Sequence, residues 1–269
     1  MTTRSIDLNS DLGEGYGPWR MADDEAILEI VSSANIACGA HAGDPMQMRL
    51  TLRRAKALGA TPGAHIGYPD RQGFGRRPMA LTLEELEVET LTQLGALTAL
   101  AQAEDMRLSH ANFHGALGNL AMVDTDVARV LIAALRTFDR DLAFVGLPGT
   151  AAAREADRQG LRLVNSFLAD RAYTPQATLV ARGTAGAVIH DPEAISARLT
   201  RLLGDGTVEA IDGTVLHLPV DSILIHSDTE GAVALAHTIA DAVKAAGCKV
   251  QPLTRSATTG LILPRNERP

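Results

Sequence analysis

The chain has 269 residues, 46% of them hydrophobic and 21% charged, and its formal net charge is −7. This balance is typical of a globular protein, and it argues against a nucleic-acid binder, which needs clustered Lys and Arg to neutralise phosphates. Small molecules or proteins are therefore the expected partners. Two cysteines make no disulfide framework, and no apolar run has the length of about 18 residues that a membrane span needs. We expect a cytoplasmic protein with no signal peptide and no membrane contact.

Short apolar runs alternate along the chain with longer segments of helical period, which is the pattern of parallel βα units. Helices are predicted over residues 23–31, 44–57, 82–103, 124–136, 150–159, 192–203 and 229–246. The predicted strands are centred near Ile6, Asn35, Pro62, Ala111, Phe144, Val164 and Leu224. Barrels of such units run to about 250 residues. We therefore predict a single α/β barrel domain over residues 1–263 and a polar tail over 264–269.

Three predicted helices carry explicit start signals. Asp44-Pro45 and Asp191-Pro192 each pair an N-cap with proline at the first helical position, where the missing N–H costs nothing. Thr82 and Glu85 have the spacing of a capping box, in which each side chain satisfies a free backbone donor.

Polar side chains gather where the predicted strands end. Asp7, Asn9 and Asp11 alternate along the first strand, so all three point into the barrel, where a buried carboxylate needs a partner, a metal or a substrate. The alternative for Asp11 is a cap on the next turn. The other strand ends carry Asn35, His41, His65, His110, Asn112, His114, His226 and Asp228. Barrel enzymes build their sites at these ends, so the distribution predicts an enzyme.

Further signals bear on ligands. Arg76 and Arg77 follow a glycine-rich loop. Their guanidinium groups suit a substrate carboxylate or phosphate. The alternative is that this loop is a solvent-exposed turn with no part in binding. The chain has neither a phosphate-binding P-loop nor a local metal-ligand motif such as HExxH. We therefore expect no tightly bound metal.

Three segments resemble the LamB/YcsF family: residues 7–17 (DLNSDLGEGYG), residues 32–44 (SSANIACGAHAGD), and residues 63–70 (GAHIGYPD) with 74–77 (FGRR). The resemblance covers almost the whole chain. It implies an irregular seven-stranded (β/α) barrel of the glycoside hydrolase and deacetylase type. It also implies a subunit of a three-component 5-oxoprolinase, which opens the lactam of 5-oxoproline to L-glutamate with two partner subunits, using ATP and Mg²⁺.

On this hypothesis the barrel mouth binds a small cyclic amide that carries a carboxylate. Proton transfer is expected from Asp11 and His114. Substrate contacts are expected from residues of three kinds: two asparagines that orient the lactam carbonyl, two histidines that polarise it or bind phosphate, and two arginines that anchor the carboxylate. These are Asn9 and Asn35, His41 and His65, and Arg76 and Arg77. Asp7 and Asp228 complete the predicted catalytic set, and Asn112 and His226 complete the binding set.

The chain departs from the family pattern at three places. Asn112 stands where the family usually has lysine, Ser166 lies where a glutamate is usual, and Ser227 replaces a glycine. Two alternatives therefore stay open. The chain could be a metal-dependent amidohydrolase or deacetylase for another small amide, or a partner subunit that binds a lactam without turnover.

Overall fold

Seven parallel strands close into a barrel in the computed structural model, which describes residues 4–227 and 231–255. The described residues contain ten strands, of which the barrel uses seven. In chain order the ten are β1 (Ser5–Leu12), β2 (Ser33–Ala37), β3 (Thr61–Ile66), β4 (His110–Phe113), β5 (Ala143–Gly146), β6 (Leu163–Leu168), β7 (Thr207–Glu209), β8 (Val215–His217), β9 (Ser222–Ile225) and β10 (Lys249–Val250). Strands β1 to β6 pair in order, β6 pairs with β9, and β9 pairs back with β1. The barrel strands are the seven that the sequence predicts.

Eight helices surround the strands in the described part of the chain: α1 (Asp24–Leu28), α2 (Pro45–Leu58), α3 (Leu83–Ala103), α4 (Gly115–Val123), α5 (Thr125–Phe138), α6 (Ala151–Gln159), α7 (Pro192–Asp205) and α8 (Ala232–Ala245). No helix within residues 4–227 and 231–255 combines the length and apolar character needed to cross a membrane. The sequence did not predict α4, which begins at Gly115 directly after β4. The side chain of its N-cap residue, His114, makes no capping hydrogen bond. A start without a capping side chain leaves no local signal.

Three small strands lie outside the barrel and were also not predicted. Strands β7 and β8 form an antiparallel hairpin of three residues each, and β10 adds two residues beside the start of β1. Elements this short carry too few residues for a periodic pattern to be recognised.

The predicted helix starts are confirmed. Asp44 accepts hydrogen bonds from the backbone N–H groups of Met46 and Gln47 at 2.8 and 3.0 Å, and Asp191 accepts one from Glu193. Thr82 and Glu85 form the reciprocal capping box before α3. These caps begin helices that lie against the outside of the barrel and leave the inward strand faces to the site.

The base of the barrel lumen is a polar layer around Asp7. The Ser32 and Ser33 hydroxyls donate to this carboxylate at 2.8 and 2.6 Å, and the Ser222 hydroxyl also donates to it. Burial raises the pKa of Asp7, although the hydrogen bonds from Ser222, Ser33, Ser32 and Asn9 act against that rise. The layer ties β1 to β2 and β9 below the carboxyl ends of the strands.

Candidate active site

Four neighbouring βα units bring Glu14, His41, His65 and His114 together at the carboxyl ends of the strands. Glu14 follows β1, His41 follows β2, His65 lies near the end of β3, and His114 follows β4. Parallel pairing places these strand ends side by side, since Ala37 lies opposite His65. Four residues that are far apart in sequence thereby share one position in space.

The four side chains approach one another closely. The Nε2 atom of His65 lies 2.9 Å from Nδ1 of His114. Oε1 of Glu14 lies 3.5 Å from Nε2 of His41 and 3.7 Å from the nearest nitrogen of each other histidine. One donor atom from each residue falls within 4.8 Å of the others, and all four residues are buried. This group could hold a metal ion.

The imidazole rings pack against each other and against Phe74. The rings of His41 and His114 stack with centroids 4.0 Å apart, and the ring of His65 meets both edge-on. Burial lowers the pKa of His41 well below its ordinary value. Burial, followed by the charge of His65, lowers the pKa of His114 to about 4. His41 and His114 are therefore neutral near pH 7.

Asp11 lies at the edge of the histidine cluster. Its Oδ2 atom is 3.4 Å from Nε2 of His65, and its Oδ1 atom accepts a hydrogen bond of 2.9 Å from Asn35. Burial opposes ionisation of this carboxyl, but its electrostatic interactions with His65, His226 and His114 and the Asn35 hydrogen bond outweigh it and lower the pKa of Asp11. The side chain remains 14% exposed. Asp11 is thus an ionised carboxylate beside the cluster.

A hydrogen-bonded layer supports Asp11 from below. The Asn35 amide donates to Asn9 at 2.7 Å, and the Asn9 amide donates to Ser222 at 2.5 Å. The ring of His110 contacts Asn35 at 2.8 Å, and burial lowers the pKa of His110 to about 3. Asn9 and Asn35 are fully buried. The predicted set therefore divides into Asp11 at the mouth and Asn9, Asn35 and Asp7 beneath it.

A second polar pair, Asp170 and His226, lies close enough for His226 to interact electrostatically with Asp11. Nδ1 of His226 is 2.9 Å from Asp170, and Nε2 faces Arg182 at 3.4 Å. Burial works against the charge on both side chains. Their mutual hydrogen bond and attraction nevertheless raise the pKa of His226 and lower that of Asp170. Asp228, which belongs to the predicted catalytic set, lies outside the described residues.

The two predicted arginines have different surroundings. The Arg77 guanidinium is bound to the Asp70 carboxylate, with Nε 3.0 Å from Oδ2. The exposed Arg76 lies over the Phe74 ring at 4.9 Å from its centroid, and its charge contributes to the lowered pKa of His41. Of the two, Arg76 is the one near the cluster.

Two residues at the site were not singled out from the sequence. Glu14 lies between two glycines in a loop, and Asp170 lies in a long loop after β6, so neither has the strand periodicity that points to Asp11. The expectation of no tightly bound metal rested on the lack of a local ligand motif. The Glu14, His41, His65 and His114 group has no such motif because each residue comes from a different βα unit.

Known proteins match this chain over nearly its full length. A 5-oxoprolinase subunit of the A type from Pseudomonas syringae pv. tomato is 48% identical over 250 residues, which are 93% of this chain and 98% of that protein. A second subunit of that type, from Agrobacterium fabrum, is 48% identical over 252 residues, covering 94% and 99% of the two chains. The crystal structure of a lactam utilization protein from Thermus thermophilus matches with a TM-score of 0.88 and 41% identity, covering 92% of this chain and 99% of that one.

The fold and the family both follow from these matches. The predicted seven-stranded (β/α) barrel is confirmed. The family model described as the LamB/YcsF family matches residues 6–258, so the chain is a member of the LamB/YcsF family.

Proposed function

We propose that this chain is the barrel component of an ATP-dependent 5-oxoprolinase and opens the lactam of 5-oxoproline to L-glutamate together with two partner subunits. The observation that carries the proposal is the 48% identity to proteins named as 5-oxoprolinase subunits of the A type, along 98% and 99% of their length. The polar barrel mouth supports it, since a small amide needs a few convergent polar groups for binding and proton transfer.

The chemistry explains why ATP enters the proposal. Water must add across a resonance-stabilised C–N bond, which leaves a carboxylate and an amine, and coupling to ATP hydrolysis drives this opening. The sequence has no P-loop, so we assign ATP and its Mg²⁺ to another kind of loop or to a partner subunit. This chain then supplies the surface on which the lactam is opened.

We assign proton transfer to Asp11. It is ionised and partly exposed, it lies 3.4 Å from His65, and it interacts electrostatically with His226. A positioned base of this kind contributes about 100- to 10,000-fold to a rate. Asn9 and Asn35, which are fully buried, act by holding Asp11 in place.

Arg76 is our candidate for binding the substrate carboxylate. It is exposed, and its guanidinium lies over the Phe74 ring beside the histidine cluster. We propose that Asn112, at the position of the usual lysine, orients the site through its 2.8 Å contact with His65. The Ser227 hydroxyl, at the position of the usual glycine, donates to the Asp11 carbonyl at 2.5 Å. We propose that this bond holds the end of β1 in place.

Glutamate release from 5-oxoproline tests the proposal. The purified chain is assayed alone and with the two partner subunits, each with and without ATP. We expect activity only in the complete ATP-containing mixture. No turnover in any mixture, together with tight binding of lactam or partners, would instead identify a non-catalytic binding subunit.

A second candidate function is a metal-dependent amidohydrolase or deacetylase acting on another small amide. The Glu14, His41, His65 and His114 group favours it. This candidate predicts amide hydrolysis by the chain alone, lost on addition of a chelator and unaffected by omission of ATP.

A further inference from the structure

We propose that Glu14, His41, His65 and His114 bind one divalent transition-metal ion at the barrel mouth. Such an ion lies about 2.0–2.2 Å from nitrogen and oxygen ligands, which places neighbouring ligand atoms about 3.0–3.5 Å apart. The distances of 2.9, 3.5 and 3.7 Å within the group fall close to this range. The four donor atoms all lie within 4.8 Å of one another, so the most widely separated pair would have to close by about 1 Å to surround one centre.

The outer hydrogen bonds of two histidines match those of metal ligands. A histidine that binds a metal usually donates its other ring N–H to an oxygen, which fixes the tautomer and the ring orientation. Nδ1 of His65 lies 2.8 Å from Oδ1 of Asn112, and Nε2 of His114 lies 2.8 Å from the Phe74 carbonyl. With protons assigned from this network, the inward nitrogens carry lone pairs. They are the two nitrogens that face each other and Glu14.

His41 supplies a second, independent observation. It is fully buried, and neither of its ring nitrogens has a hydrogen-bond partner among the described residues. Buried polar groups are nearly always satisfied, so an exception requires a cause. A Cβ atom at Gly67 or Gly75 would overlap the His41 side chain, so the backbone is shaped around this ring. A metal ion bound at Nε2, the atom 3.5 Å from Oε1 of Glu14, would give one of these two buried nitrogens a partner.

The donor set selects the class of metal. Three imidazoles and one carboxylate suit zinc, iron and related transition ions, whereas Mg²⁺ and Ca²⁺ prefer shells of oxygen. The ion would polarise a carbonyl or activate a water, and Asp11 lies 3.4 Å from His65 on the partly exposed side. The inference concerns the same site as the proposed function, but it does not depend on it, because metal binding is measured without substrate.

The test is titration of chelator-treated full-length chain with Zn²⁺ by calorimetry, and with Co²⁺ by visible absorption. We expect one equivalent of either ion to bind, and a Co²⁺ spectrum typical of nitrogen and oxygen ligands. Loss of the hydrogen-bond partner of a metal-binding histidine weakens metal binding by about 10- to 100-fold. Glu14→Gln and His65→Gln remove ligands themselves, so each should weaken binding by more than this. Asn112→Ala keeps all four ligands and should fall within that range.

The matched control is His237→Gln, which removes an exposed histidine of α8 and should leave Zn²⁺ affinity unchanged. Circular dichroism of each metal-free variant separates loss of a ligand from loss of the fold, and Asn112→Ala tests the site even where a ligand variant does not fold. The absence of stoichiometric uptake by the wild-type chain would overturn the inference. So would binding that Glu14→Gln, His65→Gln and Asn112→Ala all leave intact. Loss of 5-oxoprolinase activity alone would not bear on it.

Discussion

Replacing Gly67 with alanine should destabilise the protein by pressing on His41. A Cβ atom at this position would lie 2.8 Å from Cγ of His41 and closer still to Nδ1, whereas ordinary carbon contacts are about 3.5–4.0 Å. The backbone cannot withdraw easily, because Gln93 donates to the Gly67 carbonyl at 2.8 Å and accepts from its N–H at 3.1 Å. The side chains of His41 and Gln93 are both buried, so the overlap must be relieved by distortion of the surrounding structure.

The magnitude follows from two opposing effects. Overpacking a buried site costs about 1–3 kcal/mol, and the loss of glycine's freedom in the unfolded chain offsets about 0.4–1 kcal/mol. We expect Gly67→Ala to lower the free energy of unfolding by about 1–2 kcal/mol. The matched control is Gly95→Ala within α3, where a Cβ meets no atom within 4 Å. This control should raise that free energy by about 0.5–1 kcal/mol.

Urea unfolding followed by circular dichroism gives both values. A double-mutant cycle with Gln93→Ala tests the clamp, because a freed backbone should reduce the additional cost of Gly67→Ala. The reasoning is refuted if Gly67→Ala is as stable as Gly95→Ala. It is also refuted if the Gly67 and Gln93 effects are strictly additive.

Three further predictions concern single side chains. Asp11→Asn should reduce turnover by about 100- to 10,000-fold in the complete ATP-containing mixture; full activity would exclude Asp11 from proton transfer. The pKa of His226 is raised above 6.5, and the pKa of Asp170 is lowered below 3.8. Their pairing therefore stabilises the fold most between pH 3.8 and pH 6.5. This stabilisation is lost as pH rises through the raised pKa of His226. The difference in urea midpoint between wild type and His226→Gln should therefore be larger at about pH 5.5 than at about pH 9, and a difference that grows with pH would contradict the pairing. Burial raises the pKa of Cys38 to about 12, so a thiol reagent should label it only after unfolding; rapid labelling of the native chain would show that the thiol is accessible.

The barrel was predictable because its elements have local signatures. Each barrel strand is a short apolar run between breaks, and the helices after Asp44, Thr82 and Asp191 begin with capping residues. The helix α4 and the strand β10 lack such signatures. One begins without a capping side chain, and the other has two residues.

The site was only partly predictable, because strand periodicity gives the face of a side chain and not its depth. Asp7 and Asp11 share the inward face of β1, yet four residues along a strand span about 13 Å. Asp7 therefore lies among serine hydroxyls at the base, and Asp11 lies at the mouth. Loop residues such as Glu14 follow no period at all, so their arrival beside the histidines becomes visible only once the chain is folded.

The register between neighbouring strands from β1 to β4 sets the spacing of the histidine cluster. Asp11 pairs with Asn35, and His65 pairs with both Ala37 and Asn112. A slip of one residue in any of these pairings would move a side chain by about 3.3 Å and turn it to the other face. Backbone hydrogen bonds between four adjacent strands thus set distances that no single side chain controls. Sequence change in β5, β6 and β9 can accordingly reshape the rest of the mouth while the cluster keeps its dimensions.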